Sequence, residues 1–333
     1  MGAIGRAARQ GAIVKGGLYL EALAAVDTVL LDKTGTLTFG TPQIREVISA
    51  NGFTERQIIA AASIAERKSE HPLAKAIMAR ASELAIPPAE PDDFSYTPGK
   101  GVRVTHRGEE ILVGSRALLT QHALTVPING ADGASEIYVA RSGQFLGSIR
   151  IADVLRPEAK SAVAAMREMG LKTVLLSGDA QGVTSSVGRD LGVDEAVGEL
   201  LPEQKAQWVS DLRSKNREVA MVGDGINDAP ALVKANVGIA MGSGTDVARE
   251  SADVILIGSD LSKLVETLRV ARRCRGIIMQ NFVGTLVVDS VGVGMAAFGF
   301  LNPLLAAFIH VTSELAFILN STRLLPRGAE SRR

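Results

Sequence analysis

Apolar and polar positions divide the chain into three stretches. Residues 26–260 carry four short apolar runs, TVLLDKTG (28–35), TVLLSGD (173–179), VAMVGDG (219–225) and VGIAMGSG (237–244), each ending in Gly or Asp. Near-continuous β-branched and Leu runs are the signature of strands buried on both faces of a parallel sheet. Helical periodicity separates the last three, as in 157–169 and 203–214. That alternation predicts βαβ units in a doubly wound α/β sheet, with ligands at the carboxyl ends of its strands. More than a hundred residues part the first run from the second. Within them, GVRVTHRG, EEILVGS and EIYVARSGQFLGSIR alternate like strands, which predicts an inserted α+β domain over 41–149 with a largely antiparallel sheet. The parent domain is then 26–40 plus 150–260. Residues 1–25 read as a short helix, a Gly16-Gly17 break and a second amphipathic stretch.

The last quarter follows a different pattern. Residues 276–297 are nearly all apolar, and 300–320 form a second such run. Each is long enough to cross a bilayer, and FGFLNP between them breaks the helix at Asn302-Pro303. Arg269, Arg272, Arg273 and Arg275 precede the pair, while Arg323 and Arg327 follow it. Basic flanks favour the cytoplasmic side, so the expectation is a two-helix transmembrane hairpin with both ends cytoplasmic. Residues 261–275 are then a stalk helix and 321–333 a cytoplasmic tail. Two buried helices of a soluble domain are the bland alternative. The N-terminus has no apolar h-region and no cleavage site, so it is not a signal peptide.

Composition narrows the classes. In 333 residues, 36 Lys+Arg balance 36 Asp+Glu, which argues against a nucleic-acid binder. A hydrophobic share of 46% excludes a chain disordered throughout. With Cys274 the single cysteine, neither an internal disulfide nor a cysteine-based metal site is available.

Candidate chemistry lies at the ends of the apolar runs. Asp32 follows a buried strand and opens a Thr/Gly loop; such a carboxylate can attack a phosphoryl group while loop N–H groups hold its oxygens. Asp224 and Asp228, in GDGIND, suit Mg²⁺, which takes one or two carboxylates together with phosphate. Ser177 can donate its hydroxyl to a phosphate oxygen, and Lys205, in LPEQK, offers a point charge. Any one of these alone reads better as a turn or a solvated surface residue. Their conjunction does not.

DKTGTLT, the strand-end SGD, LPEQK and MVGDGINDAPAL resemble the phosphorylation domain of P-type ATPases, built on the haloacid-dehalogenase fold. The resemblance implies that Asp32 is transiently phosphorylated. It implies Mg²⁺ held by Asp32, the Thr34 carbonyl and Asp224, with Thr34, Ser177, Gly178 and Lys205 around the phosphoryl group and Asn227 and Asp228 completing the site. Phosphatases of this fold carry a second Asp two residues after the nucleophile. Thr34 occupies that position and cannot serve as acid or base near neutral pH. In the insert, ERKSEHPLAKAI, TPGKGV and LVGS resemble the nucleotide-binding domain of class IB, heavy-metal P-type ATPases. This implies an ATP site at Glu66, His71, Gly99, Gly101 and Gly114, where glycines let backbone approach the base and ribose.

Polar residues at bilayer depth read as functional. In the hairpin, Asn281, Asp289, His310, Ser313 and Glu314 are candidates for a functional role, the last four for the transported ion, with His310 and Glu314 on one helix face. Without Met or Cys, such a site favours a divalent ion such as Zn²⁺, Co²⁺, Ni²⁺ or Mn²⁺ over Cu⁺. The expectation is therefore the C-terminal part of a membrane-embedded, ATP-driven metal pump whose actuator domain and earlier membrane helices lie in a missing N-terminal half. The alternatives are a phosphatase of the same fold and an inactive membrane partner subunit.

Overall fold

The computed structural model describes residues 2–50, 52–69, 71–126, 135–225, 227–242, 244 and 246–325. It opens with α1 (Gly2–Arg9), β1 (Ala12–Val14), α2 (Gly17–Ala25) and β2 (Thr28–Asp32). An inserted lobe follows: β3 (Thr38–Ser49), α3 (Glu55–Ala65), α4 (Pro72–Glu83), β4 (Asp93–Thr97), β5 (Gly101–His106), β6 (Glu109–Gly114), α5 (Arg116–Gln121), β7 (Ser135–Arg141) and β8 (Gln144–Leu155). The chain then returns through α6 (Ala159–Glu168), β9 (Lys172–Leu176), α7 (Gln181–Leu191), β10 (Glu195–Val197), α8 (Pro202–Ser214) and β11 (Val219–Gly223). It continues with α9 (Ala229–Lys234), β12 (Val237–Met241), α10 (Asp246–Ser251), β13 (Val254–Leu256), α11 (Leu261–Ala297) and α12 (Pro303–Ser321).

The four apolar runs form neighbouring parallel strands in a seven-stranded sheet ordered β1-β13-β12-β11-β2-β9-β10. Every residue of β2, β11 and β12 is buried, as their apolar continuity requires. Three strands escaped the pattern. β10 and β13 extend the sheet in parallel and β1 closes one edge antiparallel. Each has three residues, too few to show a period.

The inserted lobe is a six-stranded antiparallel sheet ordered β3-β8-β7-β6-β5-β4. α3 and α4 cover one face, burying Ile58, Ile59 and Ile77 against Ile111, Ile149 and Ile151. β3 and β8 pair from Thr38 opposite Leu155 to Ser49 opposite Gly147. The expected limits of the insert, 41 and 149, thus fall inside two continuous strands that leave the parent lobe and re-enter it.

The stalk and first apolar segment, expected as separate elements, are one helix. α11 has 37 residues, roughly 55 Å at 1.5 Å per residue. Its first half packs Leu261, Leu264, Val265, Leu268 and Ala271 into the core shared with α2 and α6. From Ile278 onward its large apolar side chains are exposed. At the head of α12, the Asn302 side chain accepts the Leu305 N–H at 2.8 Å and Pro303 takes the first turn, where no N–H is needed. The two helices are held together by Asn281, which donates to Ser321 Oγ at 2.9 Å and accepts from Asn320 at 2.8 Å. Both α11 and the segment Pro303–Leu324 are long and apolar enough to cross a membrane.

Leu268 is fully buried where α11 meets the core. Leu268→Ala should cost about 2–5 kcal/mol, read from denaturant unfolding by the fluorescence of Trp208, the single tryptophan.

Candidate active site

Strand register brings the predicted residues together. Asp32 ends β2 beside Leu176, the last residue of β9, and Leu31 pairs with Val222 of β11. Ser177 and Asp224, the next residues along β9 and β11, therefore flank Asp32 at the carboxyl edge. Asp228 sits at the head of α9, and Lys205 reaches back from the first turns of α8. Lys205 Nζ donates to Asp32 Oδ1 at 2.5 Å and to Asp228 Oδ1 at 2.7 Å. All three are almost wholly buried, at 5%, 4% and 1% exposure.

Burying two or three carboxylates around one ammonium has a measurable consequence. Burial, then the charges of Asp228 and Asp224, push the Asp32 carboxyl from 3.8 up to about 7, with Lys205 opposing. Burial works against the Lys205 ammonium, but the two carboxylates overcome it and hold it protonated above its ordinary range.

The loop after Asp32 is tightly specified. Gly35 has φ +73°, and a Cβ there would lie 2.5 Å from Asp224 Oδ2, so only glycine fits. Gly223 plays the same part for Asp228, whose Oδ2 would lie 2.9 Å from an added Cβ. Thr38 Oγ1 lies 2.9 Å from the Lys33 carbonyl and 2.5 Å from Asp153 Oδ2. Two contacts went unforeseen because they join distant segments. Lys33 pairs with Asp179. Buried Arg156 donates to the Thr36 carbonyl at 2.9 Å and the Gly35 carbonyl at 3.2 Å, with its guanidinium 4.8 Å from the Phe39 ring centroid.

A cavity of about 320 Å³ is bordered by Asp32, Thr34, Gly178, Asp179, Lys205, Asp224, Asn227 and Asp228. Ser177 is buried, and its hydroxyl accepts the Asp179 N–H at 3.1 Å. Among the described residues no group of three or more His, Cys, Asp or Glu side chains is poised to hold a metal. Asp32, Thr34 and Asp224 nevertheless border the same cavity, and magnesium needs only one or two protein carboxylates.

All five residues expected at the nucleotide border one pocket of about 250 Å³ in the inserted lobe. His71 caps α4, its Nδ1 accepting the Leu73 N–H at 3.2 Å, which leaves the proton on Nε2. Glu66 is buried; burial raises its pKa against the opposing effects of Ser69 and His71. Glu70, also in the motif, lies outside the described residues. Two of the glycines also have a packing role. Gly101 and Gly114 face each other across β5 and β6. A Cβ on Gly101 would lie 2.3 Å from the Val113 carbonyl, and one on Gly114 2.2 Å from the Lys100 carbonyl. Their smallness serves the approach of strand to strand, not only of ligand to backbone. Tyr96, Lys100, Ser115 and Glu136 also border this pocket and carried no sequence signal.

In the hairpin, Asp289, His310, Ser313 and Glu314 border one groove of about 470 Å³. His310 Nε2 lies 3.4 Å from Glu314 Oε1, and Ser313 donates to the His310 carbonyl at 2.8 Å.

Residues 26–236 match the haloacid dehalogenase-like hydrolase family. The chain belongs to that family. Within it, the chain is similar to heavy-metal P-type ATPases. It is 37% identical over 331 residues to a copper-exporting P-type ATPase of Bacillus subtilis (strain 168), covering 97% of this chain and 41% of that protein. A Vibrio cholerae copper-exporting P-type ATPase is 37% identical over 335 residues, covering 96% of this chain and 36% of its own length. The chain thus spans about two fifths of these relatives. A solved zinc-transporting PIB-type ATPase in its E2.Pi state superposes with a TM-score of 0.83 at 33% identity, over 98% of this chain and 54% of that one. The catalytic domain of the CPx-ATPase CopB-B matches with a TM-score of 0.66 at 32% identity, over 80% of this chain and 98% of that domain.

For this hydrolase the Asp32 carboxyl, raised from 3.8 to about 7, sets a sign. The unfolded chain ionises Asp32 from about pH 4 and the folded chain only near pH 7, so this group removes stability as pH rises between the two and a constant amount above. In chelator-treated protein, Asp32→Asn should raise the melting temperature by about 2–6 °C at pH 8. The gain should vanish below pH 4, as followed by Trp208 fluorescence.

Proposed function

We propose that this chain is the nucleotide-binding, phosphorylating and membrane-hairpin part of an ATP-driven heavy-metal cation pump. The observation that carries the reading is a carboxylate buried at a strand end, bridged by Lys205 to Asp228, with Thr34 rather than an acid two residues on.

ATP binds in the inserted lobe at Glu66, His71, Gly99, Gly101 and Gly114 and presents its γ-phosphate to Asp32. An Asp32 oxygen attacks phosphorus; the new O–P bond forms as the bond to ADP breaks, and ADP leaves with the electron pair. Lys205, already neutralising Asp32 and Asp228, turns to the phosphoryl oxygens. Loop groups at Thr34 and Gly178 hold the same oxygens, with Ser177, Asn227 and Asp228 shaping the site around them. Magnesium, when bound by Asp32, Asp224 and the Thr34 carbonyl, supplies the positive charge that favours ionised Asp32 and screens the phosphate. The Thr34 hydroxyl does not ionise near neutral pH and cannot act as general acid or base, so the aspartyl phosphate outlasts that of a phosphatase and is available to drive a conformational cycle.

In this reading the two apolar helices cross a membrane and the soluble lobes lie on the cytoplasmic side, which the basic flank of Arg269, Arg272, Arg273, Arg275 and Arg323 favours. Arg327 lies outside the described residues. Asp289, His310, Ser313 and Glu314 form part of the cation path, and their nitrogen and oxygen donors favour a divalent ion.

Radiolabelled ATP with Mg²⁺ tests the phosphorylation. An acid-stable, hydroxylamine-sensitive label should appear and be lost in Asp32→Asn; rapid release of inorganic phosphate with no accumulated label would favour a phosphatase. His71→Ala should weaken labelling by ATP about tenfold, the scale of one lost nucleotide contact, while leaving labelling by inorganic phosphate intact. Equal loss of both would remove His71 from the nucleotide site.

A further inference from the structure

The nucleotide pocket holds an aromatic residue that the reading above leaves without a task. β4 is the outer strand of the six-stranded sheet and pairs only with β5. Residues directly opposite across a ladder share a face, as do residues two apart on a strand. Tyr96 lies opposite Val102 and two residues from Phe94. Val102 is 2% exposed, and Phe94 packs against the core beneath α3 and α4. Tyr96 shares that face, yet it is 54% exposed. The helical cover that buries Val102 stops short of the Tyr96 ring. Among the described residues, neither the ring nor the hydroxyl of Tyr96 has a stacking, cation–π or hydrogen-bond partner.

The surroundings of that ring suit a flat ligand. Tyr96 and His71 border the same pocket, and the His71 ring is anchored through Nδ1 with its Nε2 proton available to an acceptor. Beside them, the backbone of Gly99, Gly101 and Gly114 also borders the pocket. An aromatic face, a fixed imidazole donor and a bare strip of backbone are what a heterocyclic base needs: one surface to stack on, one polar contact to orient it and no obstruction.

We infer that Tyr96 is the base-stacking wall of the nucleotide site and that it selects purine over pyrimidine triphosphates by overlap area. This rests on the assignment of the pocket to ATP. A singly exposed tyrosine is common on protein surfaces; what distinguishes this one is its place on the helix-covered face, inside a pocket.

The experiment is competition binding to the full chain in lipid nanodiscs, with ATP, GTP and CTP displacing a fluorescent ATP analogue. Base–aromatic stacking predicts that Tyr96→Ala weakens ATP about 5- to 30-fold. Tyr96→Phe should stay within about twofold of wild type and Tyr96→Trp match or exceed it, because the ring and not the hydroxyl does the stacking. GTP should fall with ATP, and CTP should lose less than either. Labelling by inorganic phosphate, which needs no base, should be unchanged in all three variants and reports that each is folded. ATP affinity in Tyr96→Ala within twofold of wild type would overturn the inference, as would a Tyr96→Phe protein as weak as Tyr96→Ala. The two readings fail separately: wild-type protein that binds no nucleoside triphosphate removes the ATP assignment itself, whereas ATP binding indifferent to Tyr96 removes only the stacking role.

Discussion

One buried ammonium holds this protein's chemistry in place. Lys205 lies between Asp32 and Asp228, all three almost without solvent. Two carboxylates this close and this buried would otherwise shed a charge by taking up a proton, because neither water nor a neighbour would compensate it. Lys205 only partly does so, since the Asp32 carboxyl still stands near neutrality. The residual frustration is useful. In the proposed reading, a divalent cation adds positive charge beside these carboxylates, and a lysine that already bridges two acids turns to a third anionic group as it arrives. Buried ion pairs seldom add net stability; here the cost holds a strand-end carboxylate that is shielded from water.

The rest of the architecture supports that arrangement. β2, β9 and β11 lie side by side, so three residues distant in sequence, Asp32, Ser177 and Asp224, stand at one edge. Glycines occupy the places where a side chain would strike a site carboxylate, at Gly35 against Asp224 and Gly223 against Asp228. Arg156 fastens two carbonyls of the loop after Asp32, and it does so from the point where β8 returns from the inserted lobe. Loop geometry and the connection between the lobes therefore share a side chain. α11 extends the same logic toward the membrane, since one helix is core at Leu268 and apolar surface beyond Ile278.

How much of this could be read in advance differs by element, for physical reasons. The buried strands were legible because a strand covered on both faces must be apolar at every position, as in β2, β11 and β12. The site residues were legible because strand-end carboxylates, Ser177 and Lys205 come in short motifs whose residue types match one chemistry. β1, β10 and β13 were not legible, because three residues hold no period and their pairing depends on neighbours far along the chain. Nor was the union of stalk and apolar segment in α11, since the change in composition near residue 276 marks a change of surroundings and not the end of a helix.

By itself, then, the sequence determined which residue types could do chemistry and which segments must be buried or lie against an apolar phase, because those properties belong to local composition. It could not determine who meets whom. That Lys205 bridges Asp32 and Asp228, that Arg156 grips the loop after Asp32, that Gly101 and Gly114 are small for each other's sake, and that Tyr96 is left exposed beside buried Val102 were decided by tertiary packing. Each depends on the separation of groups tens to hundreds of residues apart, and only the folded sheets set those separations.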